Sequence, residues 1–462
     1  MKKQLFILVL MILSACRNEG PSGTDYSALA DTIRSETLRS WMAYRTYAWG
    51  HDELLPLSCS FHDWYAEPLG ISPIDAYSTL KIMGLEKEAA EIERFVADSL
   101  SFDKDLFVKT FEVNIRILGG LLSMYDLSGN IKILDKAEDF GRRLLPAFSS
   151  KTGLPHYLVN LKTGEVRGDT INVAEGGTYL IEMGVLSYYT ADPVYYRAAR
   201  KAIRAIAARR SEIGLTGQDI NIETGEWIDD ISHIGACIDS YYEYLYKGWS
   251  LFGDSLLLDI WKSSLPAVNK YIAYDSDTFL WYGRVNRLNG QLTGSVITLW
   301  DAYWPALMIL SGDTPRAVKN QLSWDHLWKL NGLEPMAYDF RRREILNPRY
   351  YLNPEIIESA YYLYYFTGEE RFRKMAATYW KDIHRYCRTE TAYTHVEDVI
   401  SKERGDRLST FFFAETMKYL YLAFSDQHPV DPGSCVFNTE AHPYRKAHFT
   451  PENINRYLFE NR

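Results

Sequence analysis

Tyr361-Tyr362-Leu363-Tyr364-Tyr365-Phe366 is followed by the turn Gly368-Glu369 and then by an amphipathic, basic run from Glu370 to Tyr386. A segment that is apolar all round fits a buried helix. The run after the turn fits a helix with one face in water. Together they read as inner helix, turn, outer helix. The same order recurs along the chain. Turn signals stand at Met83-Gly84, Ser128-Gly129-Asn130, Ala191-Asp192-Pro193, Gly253-Asp254, Gly312-Asp313, Gly368-Glu369 and Ser425-Asp426. After the first they fall roughly 55 to 65 residues apart, the length of a helix pair plus loops. Apolar residues between them recur at three and four, as in Ile115, Leu118, Leu122 and Tyr125. Seven turns predict seven helical units, which either stack as an open solenoid or close into a ring. A solenoid needs polar end caps, and none stands out. No linker interrupts the run from Asp25 to Asp426. The expected fold is therefore all-α, one (α/α)7 barrel domain over residues 25–462, with Gln427 to Arg462 as a tail.

Each inner helix carries a carboxylate near its start: Asp75, Glu112, Glu175, Asp239, Asp301, Glu355 and Glu415. They precede their turns by about nine to seventeen residues, or roughly 14 to 25 Å of helix. The acids are expected to converge on the barrel axis at the end away from the turns. Any one of them could simply be an acid favoured by a helix N-terminus. Seven in register point instead to a cation, paired bases or chemistry, because buried acids among aromatics are otherwise costly. Two carboxylates flanking a sugar bond are what glycoside hydrolysis requires. No HExxH, GxSxG or P-loop is present, and the ten histidines are scattered.

The net charge of −9 argues against nucleic acid or an anionic membrane as the main partner and fits a neutral substrate. The abundant Tyr and Trp offer flat faces with a polar edge, suited to sugars or to a large helical core. At the N-terminus, Met1-Lys2-Lys3 is a basic region and Leu5 to Leu13 an apolar one too short to span a bilayer. Leu13-Ser14-Ala15-Cys16 resembles the lipobox of bacterial lipoproteins. It implies a signal peptide over residues 1–15, a lipidated Cys16, a flexible tether over 16–24 and an extracytoplasmic, lipid-anchored location. Cys59, Cys237, Cys387 and Cys435 remain, which allows three full pairings. Without a CxxC, a zinc ribbon or thioredoxin-like site is not expected.

Near the C-terminus, Val436-Phe437-Asn438-Thr439-Glu440-Ala441-His442-Pro443 reads as a short strand or hairpin arm. Its hydroxyl, carboxylate, amide and imidazole suit a hard cation or a hydrogen-bonded site. A terminal strand tucked against the body is the plainer reading.

Specific strings carry a family likeness. Tyr47 to Leu54 (YAWGHDEL), Phe111 to Leu122 (FEVNIRILGGLL), Asp239 to Tyr244 (DSYYEY), Asn353 to Ser359 (NPEIIES), Phe411 to Thr416 (FFFAET) and Phe437 to Pro443 (FNTEAHP) occur in that order. They resemble the class I α-mannosidases, glycoside hydrolase family 47, from about Tyr44 to Pro443. The resemblance implies an (α/α)7 barrel plugged by a C-terminal β-hairpin. It also implies a calcium-dependent, inverting exo-α-1,2-mannosidase that releases mannose from mannose-rich glycans. On the matching positions, Glu112 is the general acid, Asp239 a second acid that is an alternative proton donor, and Glu355 the general base. Thr439 is the direct Ca2+ ligand, with Glu175 and Glu440 acting through waters. Arg116, Glu358, Phe411 and Glu415 contact the sugar. A monomer is expected.

Three positions depart from the family's pattern. Asn353 stands where the family commonly has Arg, Cys237 where it has Arg or Leu, and Leu299 where some members have a sugar-contacting His. These changes bear on glycan preference more than on catalysis. They leave a mannose-glycan-binding lipoprotein with weak or no hydrolysis as the alternative, and a structural solenoid as a third reading.

Overall fold

The computed structural model describes residues 24–427 and 429–460. The expected signal peptide, Cys16 and the tether up to residue 23 lie outside the described residues. Seven inner helices form the barrel wall: Ile71–Ile82, Gly119–Ser128, Leu180–Thr190, Asp239–Phe252, Trp304–Leu310, Glu355–Thr367 and Met417–Phe424. Outside them lie Tyr26–Tyr47, Glu86–Asp98, Ile131–Leu144, Val194–Ala207, Ser255–Ala267, Thr314–Asn331 and Glu370–Cys387. The two sets differ as their sequences do. Ile71–Ile82 is buried almost throughout. Glu370–Cys387 buries Phe372, Met375, Ala376, Tyr379, Trp380 and Ile383, a stripe at helical spacing, and leaves its charges in water.

The pairing differs from expectation at one place. Among the described residues no outer helix follows Ser425-Asp426. The seventh outer position is filled by the N-terminal helix Tyr26–Tyr47, which packs along Met417–Phe424 and closes the ring. Tyr26 stacks on Phe424 at 5.7 Å, and Trp41 meets Phe413 edge-on at 5.7 Å. This outer helix therefore runs antiparallel to its inner neighbour.

The two ends of the barrel are unlike. Inner helices turn into outer ones through tight turns, and Gly253 and Gly368 end their helices at φ 68°, a left-handed cap that a side chain disfavours. Outer helices return through longer segments that carry small antiparallel sheets. Thr170–Asn172 pairs with Asp219–Asn221, and Val296–Thr298 with Ala337–Asp339. These sheets build a rim around the helix starts. The stretch after Ser425 is no surface tail. Cys435–Phe437 pairs with Pro443–Arg445, Val436 opposite Tyr444, and the first strand is wholly buried inside the barrel.

Most of the aromatic surplus is core: Trp304, Trp324, Tyr241 and Tyr242 are fully buried. The four described cysteines are unpaired, so none of the three pairings forms among the described residues. No helix among those residues is long and apolar enough to cross a membrane.

Candidate active site

At the rim end the barrel holds a cavity of about 280 Å³. That is near the small end of ligand pockets, ~300–1,000 Å³. Of the expected ring, Glu112, Glu175, Asp239, Glu355 and Glu415 line it. Arg116, Glu358, Phe411, Thr439 and Glu440 join them, so the structure brings together every expected site residue. Asp75 and Asp301 are corrections, since neither reaches the cavity wall. Asp75 is fully buried behind Arg116, 3.7 Å from its guanidinium and 3.2 Å from His442 Nε2. Asp301 caps its own helical turn, accepting from the Thr298 N–H at 3.0 Å and its hydroxyl at 2.6 Å. It is the helix-start acid that the plainer reading describes.

The acids are held from helix starts. Asp239 and Glu355 each open an inner helix, where the helix dipole favours negative charge. Ser240 N–H donates to Asp239 Oδ1 at 2.8 Å. Burial outweighs this and pushes Asp239 up to about 7. Asn353 Nδ2 donates to Glu355 Oε1 at 3.3 Å, yet burial pushes Glu355 up to about 8. Its Oε2 is buried with no partner among the described residues. Glu358 is pushed up to about 7 by burial, with Lys247, 3.6 Å away, acting against it. Glu175 closes a capping box with Asn172, each side chain accepting the other's backbone N–H at 2.8 and 3.1 Å.

Arg116 and Glu415 sit in single wide helical turns, Asn114–Leu118 and Phe412–Thr416, hydrogen-bonded five residues apart. Such π turns re-aim side chains and are frequent at functional sites. Arg116 bonds Glu440 and reaches Glu112 at 3.2 Å. Burial opposes its charge, but the carboxylates of Glu440, Glu112 and Asp75 outweigh that and keep it a cation.

The floor is the tip of the terminal hairpin, and Asn438 fixes it. Its Nδ2 donates to Ile115 O at 3.0 Å and Glu182 Oε1 at 2.8 Å. Its Oδ1 accepts from the N–H groups of Glu440 at 3.0 Å and His442 at 2.8 Å. The amide is saturated. This turn projects Thr439 and Glu440 into the cavity. Gly119 and Gly120 let the hairpin approach: a Cβ on Gly119 would meet Asn438 Nδ2 at 2.6 Å, and one on Gly120 would meet Ile74 at 2.4 Å.

Two of the three departures touch the site. Cys237 lines the cavity with φ 82°, a left-handed backbone costly for a residue with a side chain. Asn353 lines it as well. Leu299 is fully buried, and the wall there is Trp300 and Tyr303.

The donor set fits a hard cation held mainly through water. Glu112, Glu175, Asp239, Glu243, Glu355, Glu358, Glu415 and Glu440 line the cavity against one lining cation, Arg116. No group of three His, Cys, Asp or Glu among the described residues is placed to chelate a metal directly. Calcium accepts oxygen ligands that include waters and hydroxyls. Thr439 presents such oxygens, and its hydroxyl makes no hydrogen bond among the described residues.

A family profile described as Glycosyl hydrolase family 47 matches residues 36–446. The chain belongs to this family. It is 35% identical over 446 residues to alpha-mannosidase I MNS5 of Arabidopsis thaliana, covering 90% of this chain and 76% of that protein. It is 32% identical to human mannosyl-oligosaccharide 1,2-alpha-mannosidase IB over 94% of this chain and 72% of that one. The solved structure of alpha-1,2-mannosidase from Trichoderma reesei superposes with a TM-score of 0.84 at 26% identity, covering 92% of this chain and all of that one. As a family 47 member the chain is a glycoside hydrolase with the (α/α)7 barrel.

Two acids at or beneath the site have no place in the expected ring, although each precedes its turn by ten residues and Glu243 lies within the DSYYEY string. Glu243 lines the cavity one helical turn after Asp239 and pairs with buried Lys247. That spacing of four could have revealed it. Glu182 accepts from Tyr244 Oη at 2.6 Å, Asn438 at 2.8 Å and Asn114 at 3.1 Å beneath the floor. Burial pushes it up to about 7. Its distance of ten residues from Asp192 falls within the window of the ring acids, but Glu175 takes that helix's place in the expected ring.

Proposed function

We propose that this family 47 chain is an exo-acting, inverting α-1,2-mannosidase, dependent on calcium, that removes mannose from the ends of mannose-rich glycans. The observation that carries the reading is Glu355. Its carboxylate stands at the wall of a narrow cavity with one oxygen unpartnered, opposite a group of further acids. In this reading Glu355 takes a proton from the attacking water, and Glu112 delivers one to the departing glycosidic oxygen. Asp239, which burial pushes up to about 7, can hold a proton at neutral pH and is the second candidate donor. Arg116 and Phe411, whose ring centre lies 5.9 Å from the guanidinium carbon, frame one side of the sugar. Glu358 and Glu415 accept its hydroxyls.

Thr439 would hold calcium through its hydroxyl and carbonyl, with Glu175 and Glu440 acting through waters. Bound there, calcium would orient vicinal sugar hydroxyls and the nucleophilic water. The closed floor explains exo action, since a chain cannot thread through it. Incubation with α-1,2-mannobiose, with and without EDTA, tests the reading. Release of β-mannose that stops on chelation is expected, with the anomer read by NMR before mutarotation. Release of α-mannose would refute inversion, and chelation-resistant release would refute the calcium.

The second reading, a mannose-glycan-binding lipoprotein, is favoured by Asn353 and Cys237 in the wall. Calorimetric binding without product formation would support it. In either reading the chain acts as a monomer outside a bacterial cytoplasm, attached through lipid on Cys16.

A further inference from the structure

The described chain begins at the turn end of the barrel, far from the cavity. Tyr26 stacks on Phe424, the last residue of its inner helix, and the Arg373 guanidinium lies 3.9 Å from the Tyr26 ring centre. Arg373 also donates to the carbonyls of Ala423 at 3.0 Å and Phe424 at 3.1 Å. About two turns further along the helix, Arg34 donates to Met83 O at 2.7 Å, in the first tight turn. Over its 22 residues the helix rises from Tyr26 to Tyr47 at the rim. That is about 33 Å. Near its top, Trp41 meets Phe413 beside the cavity-lining Phe411.

We infer that the turn end faces the membrane and that the cavity opens away from it. The inference rests on the proposed lipid at Cys16. From Cys16 to Tyr26 there are ten peptide steps. Whatever its conformation, that stretch reaches no further than about 36 Å. To point the cavity at the bilayer, the tether would have to run the height of the barrel wall, about 33 Å, and then pass the rim sheets. Only a fully stretched chain lying on the protein approaches this, and ordering it carries a large entropy cost. With the turn end down, no such span is required.

The substrate class follows. A cavity held a barrel's height above the lipid takes glycans in solution or displayed on another surface. Sugar chains on the anchoring membrane that are shorter than the barrel's height do not reach it. This narrows the proposed substrate to neutral mannose-rich glycans supplied from outside.

The test uses the full chain, processed in a bacterial host and reconstituted in vesicles whose lipids carry a nitroxide on the headgroup. Exposed Cys59 is replaced by Ser, and a fluorophore is placed at Glu369→Cys in a tight turn or at Ile228→Cys in a rim loop. Quenching at least three-fold stronger at position 369 is expected. Equal quenching, or stronger quenching at 228, overturns the orientation. Failure of the protein to float with the vesicles overturns the anchor and the orientation with it. Mannobiose release by the same sample, in detergent, reports the activity separately from both.

Discussion

Asn353 Nδ2 donates to Glu355 Oε1 at 3.3 Å, while Glu355 Oε2 is buried without a partner among the described residues, in a residue that lines the cavity. One oxygen is held and the other is unpaired. Replacing Glu355 by Gln keeps the shape and removes the basicity. Turnover of α-1,2-mannobiose is expected to fall by about 10²–10⁴-fold. Mannoside affinity, measured by calorimetry, should be retained. Surviving turnover would assign the base elsewhere.

The same pair sets a pH dependence. Burial raises Glu355 to about 8, and the Asn353 hydrogen bond favours the charged form and so works against that rise. A base must be unprotonated, so activity climbs as pH rises through its pKa. Asn353→Leu removes the opposing bond, and the acidic limb of the kcat/KM profile should move to higher pH than in the parent. A limb that stays put or moves down would show that Asn353 does not tune the base.

Thr439→Ala removes the one cavity hydroxyl at the hairpin tip. Calcium affinity, read by titration calorimetry, is expected to weaken at least ten-fold with the fold intact by circular dichroism. An unchanged affinity removes Thr439 from the site.

Glu182 has a pKa raised from 4.5 to about 7, chiefly by burial. The folded state therefore binds more protons than the unfolded one between these values. The stability tied to Glu182 is full below about 4.5 and is lost as pH rises through about 7, on the order of 3 kcal/mol in total. Glu182→Gln should flatten this decline in a series of denaturant titrations from pH 4.5 to 8. The slope is the readout, because the new amide also disturbs three hydrogen bonds. An unaltered slope would mean that Glu182 is ionised throughout.

Gly120→Ala places a Cβ 2.4 Å from Ile74 Cγ2 and 3.3 Å from His442 Cε1. Ile74 must shift in a packed wall, and a loss of about 1–3 kcal/mol is expected. The urea midpoint measures it. A variant as stable as the parent would show that the hairpin is seated more loosely than these contacts indicate.

The ring was legible because its repeat is chemical as well as periodic: aromatic segments such as Tyr361 to Phe366, a tight turn and then a basic amphipathic run. Which acids face the axis was only partly legible. Spacing from the turn gives height along a helix but not rotation about it. Glu355 and Asp239 therefore fell in the cavity while Asp301, at the same height, turned to cap Thr298. The wide turns that aim Arg116 and Glu415 leave no mark in composition, since a π turn differs from an α turn by one residue of slip. The N-terminal helix as the seventh outer member was hidden for another reason. It belongs to the repeat in space but is separated from its inner partner by nearly the whole chain. The family strings carried the roles that spacing could not, above all for Thr439.

Asn438, with all four of its hydrogen-bonding positions filled, gives the molecule an order of assembly. Asn438, which seats the floor, bonds Ile115 and Glu182, which leave the ribosome hundreds of residues before it. Until then the nascent barrel has a rim and a wall but no bottom. Its apolar lining and its acids share one unfinished lumen. Truncation before Asn438 would yield a tube lacking Thr439 and Glu440, not a slightly weaker enzyme. Synthesis of the hairpin is in this sense the event that switches the site on.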